Sequence, residues 1–142
     1  MGNNYKKQEI RELYNIIYNN RIKQGIRADE AKRIALDAAS LRFVITNDRV
    51  RHILYDKNSN NPSFRTFIYM NNCSIVESLK ELLDSYCKTM EIWVESMNSS
   101  PDEQAREVFY NNIVQMQKKI DKYQELISII EEVNAHYINQ KR

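Results

Sequence analysis

Residues 74–137 read SIVESLKELLDSYCKTMEIWVESMNSSPDEQAREVFYNNIVQMQKKIDKYQELISIIEEVNAHY. Apolar side chains recur through both halves of this stretch at the spacing of one helix face. In the first half they are Ile75, Leu79, Leu82, Tyr86, Met90, Trp93 and Met97, at intervals of 4, 3, 4, 4, 3 and 4. In the second they are Ala105, Phe109, Ile113, Met116, Ile120, Tyr123, Ile127, Ile130 and Tyr137. Alternating threes and fours make a heptad-like seam, which predicts two helices paired as in a coiled coil. Asn98-Ser99-Ser100-Pro101 is the turn, short enough to make the two helices antiparallel neighbours. Two capping boxes mark helix starts, Ser74-Ile75-Val76-Glu77 and Ser100-Pro101-Asp102-Glu103. In each, Ser and Glu satisfy backbone donors reciprocally, and Pro101 falls where its missing N–H costs nothing.

Two helices alone offer each other a single stripe. Here Val76, Leu83 and Val94 widen the first stripe, and Val108, Leu126, Ile129 and Val133 widen the second. Wide stripes call for more than one partner helix. The expectation is self-association, as a dimeric four-helix bundle or a larger ring, through Leu79, Leu83, Tyr86, Met90 and Trp93 with Ile120, Ile127 and Ile130.

The rest of the chain is helical in pattern too. With only 2 Gly and 2 Pro in 142 residues, a sheet-rich or loop-rich fold is excluded on turn chemistry. Ile10, Leu13, Tyr14, Ile17 and Tyr18 lie on one face of a helix over about Tyr5–Gln24, stopped by Gly25. Ala31, Ile34, Ala35, Ala38 and Leu41 form the stripe of a second helix, about Ala28–Arg42. Thr46 is a candidate N-cap for a third, about Asn47–Tyr55, with Val50, Ile53 and Leu54 inward. Asp56–Asn61 and Pro62 read as a loop, and residues 63–72 as a short connecting helix or irregular segment. The expected fold is all-α: a three-helix unit over 1–58, a linker over 59–73, and a long antiparallel hairpin over 74–142.

Charge divides along the same line. Residues 1–70 hold 13 Lys and Arg against 7 Asp and Glu, a balance of +6, and residues 71–142 hold 8 against 12, a balance of −4. The basic part suits a polyanion, and the acidic part suits protein contacts.

The segment from Ala38 to Tyr55 resembles a helix-turn-helix. Ala39 and Ser40 match the small residues where the second helix crosses the first. Ile45 and Thr46 match the apolar residue and hydroxyl of the turn, and Val50 and Ile53 match the apolar positions of the second helix. The usual turn glycine is Val44, and a β-branched residue tolerates positive φ poorly. Such a motif presents the start of its second helix to base edges and its flanks to phosphates. The resemblance therefore implies double-stranded DNA as partner. Thr46, Asn47, Arg49, Arg51 and His52 would lie on the reading face, with Lys32, Arg33 and Arg42 on phosphates; Asp48 opposes binding. The string Leu41–Val50 is also similar to a short module of small proteins of Bacteroidota and their phages. A basic helix-turn-helix joined to an oligomerising hairpin is similar in layout to phage small terminase subunits.

No enzyme signature is present: there is no glycine-rich phosphate loop and no HExxH. Cys73 and Cys87 lack a CxxC partner, and His52 and His136 are the only histidines, so neither metal nor cofactor is expected. Glu77 and Glu81, and Glu131 and Glu132, read as surface acids. No apolar segment follows Met1 and no run is long enough to span a membrane, which leads to an expected cytoplasmic location, that of the host for a phage protein. The expected function is DNA binding without catalysis. The alternative is a protein-interaction, structural or inhibitor role carried by the acidic hairpin.

Overall fold

A computed structural model describes residues 2–55 and 64–140, with side chains over 6–55 and 67–138. The loop expected at Asp56–Pro62 lies outside the described residues. Five α-helices follow in order: α1 (Gly2–Lys23), α2 (Ala28–Phe43), α3 (Asn47–Tyr55), α4 (Phe64–Ser99) and α5 (Glu103–Gln140). No strand occurs among the described residues. None of the described helices is long and apolar enough to cross a membrane.

The chain forms two compact units, residues 1–74 with 128–142, and residues 75–127. The first has the larger core. Ile10, Leu13, Ile16 and Ile17 of α1 meet Ala35, Leu36, Ala38 and Ala39 of α2, and Val50 and Ile53 of α3. Four further side chains complete it: Ile68 from the start of α4, and Ile129, Val133 and Tyr137 from the end of α5. The last three recur every fourth residue, so the final turns of α5 give this core one continuous face. At the rim, Glu132 ties α5 to α1. Arg21 donates to both of its carboxylate oxygens at 3.0 and 3.1 Å, and Asn20 donates at 2.9 Å. Glu132 is therefore a half-buried clamp and not the free surface acid expected from its sequence position.

Polar groups lock two further junctions. Arg11 is buried, and its Nε donates to the Ile53 carbonyl at 3.1 Å, satisfying an orphan acceptor at the end of α3. Asn72 and Asn134 are buried between α4 and α5, with Asn72 Nδ2 donating to Asn134 Oδ1 at 3.0 Å. Asn134 Nδ2 in turn donates to the Tyr69 carbonyl at 3.3 Å.

The second unit is the antiparallel hairpin of α4 and α5, where Tyr86 and Tyr123 meet with ring centroids 6.0 Å apart. Its start differs from expectation, since α4 runs unbroken from Phe64 and Ser74 lies inside it, exposed and not at a cap. Nothing between 64 and 99 breaks a helix, and burial of Ile68 favours carrying it upstream. At the turn the cap is Asp102, not Ser100: Asp102 Oδ1 accepts the Gln104 N–H at 3.0 Å.

The two described turns of the first unit close through left-handed residues. Gly25 has φ 88, and the Ile26 N–H reaches the Arg21 carbonyl at 3.0 Å. After α2 the same closure forms on Val44, with φ 54 and ψ 51, and the Ile45 N–H reaches the Ser40 carbonyl at 3.3 Å. The turn thus has the geometry that glycine usually supplies, despite a β-branched residue. Left-handed backbone costs such a residue roughly 1–2 kcal/mol, and Val44 recovers nothing by packing, being 88% exposed. Val44→Asn is expected to stabilise the protein by about 1 kcal/mol, raising the thermal midpoint by roughly 3 °C. Val44→Gly gains less, because glycine also frees the unfolded chain. A lower midpoint for Val44→Asn in a thermal melt would refute the strain.

Candidate nucleic-acid interface

Local chemistry fixes which face of α3 looks outward. Thr46 caps the helix, its Oγ1 accepting the Arg49 N–H at 3.1 Å. Val50 and Ile53 are buried, 0% and 4% exposed, against α1 and α2. Arg49, Arg51 and His52 are thereby left on the solvent side, and all three are exposed.

The candidates divide by what already holds them. Arg49, His52 and Lys32 are exposed, and their side chains have no hydrogen bond or ion pair among the described residues. Arg51 is exposed but donates to Asp48 at 2.8 Å, one turn back on the same helix. Arg33 lies 3.5 Å from both Glu30 and Asp37. Exposed pairs of this kind are worth 0 to about 1 kcal/mol, so a phosphate competes readily for either arginine.

Asn47 and Arg42 are engaged within the fold. Asn47 Oδ1 accepts the Ser40 hydroxyl, and Asn47 Nδ2 donates to Asp37 Oδ1 at 3.1 Å. Its amide therefore pins the start of α3 to α2. The Arg42 guanidinium lies 4.7 Å from the Phe43 ring centroid and donates to Asn72 Oδ1 at 3.4 Å. Burial lowers its pKa, while the charge of Glu9 acts in the opposite direction.

Glu9 sits beside this arginine on the half-buried side of α1. Its pKa is raised above 4.5, chiefly by burial and secondarily by Glu12, with Arg42 and Lys6 pulling it down. The sign follows from the shift. Stability linked to Glu9 is full below its ordinary value of 4.5 and is lost as pH rises through the raised one. Glu9→Gln is therefore expected to melt above the parent at pH 7, with the gap closing below pH 4.5. A variant less stable than the parent at pH 7 would contradict it.

The sequence reading missed one cluster. Lys6 and Lys7 at the start of α1 line the same depression as Arg49, with Ile10, Ile45 and Ile53 also in its wall. Its volume is about 150 Å³. The signal was available, because Lys6 precedes Ile10 by one helical turn and shares its face.

The hairpin candidates divide in the same way. Ile120, Ile127 and Ile130 are 3%, 6% and 0% exposed and are covered by the chain itself. Leu79, Leu83, Tyr86, Met90 and Trp93 are half-buried. No group of three or more His, Cys, Asp or Glu among the described residues is placed to hold a metal.

No protein-family model matches this chain, and no curated protein or solved structure matches it either.

Proposed function

We propose that the chain is a DNA-binding protein without catalytic activity, gripping duplex phosphates with a basic face on α1 and α3 and self-associating through its hairpin. The observation that carries this reading is the convergence of Lys6, Lys7 and Arg49 on one depression beside the exposed end of α3. His52 and Lys32 add two further exposed groups, with no side-chain hydrogen bond or ion pair among the described residues. With the Asn47 amide tied to Ser40 and Asp37, the reading face is short of a base-specific group, which favours backbone contact over base reading. The helix-turn-helix resemblance and the small-terminase-like layout favour reading it as a regulator or packaging factor of a phage or mobile element, acting in the cytoplasm.

The test is duplex binding by fluorescence anisotropy at several salt concentrations. Affinity should fall steeply with salt, with a log–log slope near −3 for three phosphate contacts. Absence of binding at the lowest salt ends this reading.

A second reading has its own observation. Ile92, Val108 and Tyr110 are large, apolar and more than half exposed on the acidic hairpin, a surface suited to a protein partner.

A further inference from the structure

The outer part of the hairpin is short of core. From residue 77 to residue 115 no side chain is buried, although this span carries Leu79, Leu82, Leu83, Trp93, Phe109 and Ile113. Ile92, Val108 and Tyr110 stand 61%, 59% and 58% exposed. Val108 and Tyr110, two positions apart on α5, stand about 200° apart around the helix and so flank its seam on both sides; the uncovered apolar surface is the broad margin of the two-helix seam.

Charge is separated along the same hairpin. Toward the turn, residues 91–107 carry Glu91, Glu95, Asp102, Glu103 and Glu107 against Arg106 alone, a net charge of −4. Farther back on α5, residues 118–122 carry Lys118, Lys119 and Lys122 against Asp121, a net charge of +2. No hydrogen bond or ion pair among the described residues occupies these three lysine side chains. On α5 the centres of the two bands are about 15 residues apart, roughly 22 Å of helix. That exceeds the screening length of about 10 Å at 0.1 M salt, so the bands act as separate patches. Val108 and Tyr110 fall between the acidic end and the lysines.

We infer that the occupant of this face is a second copy of the same chain, laid antiparallel so that each acidic turn meets the other's lysine band. The inference rests on the self-association reading above and fixes its orientation and its face. Parallel pairing sets −4 against −4, whereas antiparallel pairing sets −4 against +2 twice across a two-fold axis. Such an axis passes between the bands, near Tyr110–Gln115, and makes the interface isologous. The uncovered stripes then close into a four-helix bundle.

The experiment measures dimer dissociation of the full chain by sedimentation at low salt, with circular dichroism confirming helix content. The parent should be dimeric. Glu91→Lys with Glu95→Lys and Glu107→Lys should weaken the dimer at least about tenfold, near 1.4 kcal/mol. Adding Lys118→Glu, Lys119→Glu and Lys122→Glu to that same chain should restore it, because the bands become complementary again with signs exchanged. A parent dimer indifferent to the first three substitutions, or not rescued by the second three, overturns the antiparallel pairing and leaves self-association standing. A parent that stays monomeric overturns both and favours a different protein on this face.

Discussion

A chain ending at Ile127 is expected to lose the packed fold of α1, α2 and α3, although every residue of those helices is retained. The segment removed supplies Ile129, Val133 and Tyr137 to their core, 7%, 2% and 4% exposed. Burying one such side chain is worth about 1.5–3 kcal/mol, so three together give roughly 5–9 kcal/mol. A domain of this size has only about 5–15 kcal/mol in total. The cut also removes Glu132 and so leaves the Arg21 guanidinium, 20% exposed, without its bidentate partner. The milder variant Tyr137→Ala keeps the helix and should cost about 3 kcal/mol. Amide exchange over residues 6–55 reads both. Retention of slow exchange at Ile17 and Val50 in the shortened chain would show that the three helices stand alone.

The second large effect concerns binding. Replacing Lys6, Lys7 and Arg49 together with Ala should reduce duplex affinity by about 100- to 1000-fold at low salt. This takes each lost phosphate contact as near tenfold, about 1.4 kcal/mol. The salt slope should shrink by about 3, which separates lost phosphate contacts from general damage to the fold. Asn47→Ala provides the contrast. It removes the bond to Asp37, so it should lower the melting temperature while leaving the slope intact. An unchanged slope in the triple variant would move the interface away from α1 and α3.

Much of the helix order was legible because the local signals are strong. Gly25 ends α1 where its φ of 88 requires, and Thr46 caps α3 as its position before Asn47 suggests. The heptad seam after Ser74 resolves into an antiparallel pair. The failures are tertiary. Ser74-Ile75-Val76-Glu77 has the composition of a cap, but a cap works only where the chain upstream leaves the helix, and here it does not. Glu132 and Glu131 are alike in sequence, and only the approach of α1 gives the former its two partners. The site follows the same pattern. Exposure of Arg49 and His52 followed from the inward pair Val50 and Ile53, whereas the closeness of Lys6 to Arg49 depends on how α1 crosses α3. Periodicity carries no information about that crossing.

The buried amide pair Asn72 and Asn134 has a consequence for how the chain can change length. The two residues are 62 positions apart and must still meet, since either amide left alone in apolar surroundings is costly. A single-residue insertion in one arm rotates every later side chain by about 100° and breaks the meeting. Tolerated deletions should therefore come as matched losses of seven residues from both arms, each shortening the hairpin by about 10 Å while keeping its seam. Variants of this chain should differ in hairpin reach by whole steps of that size.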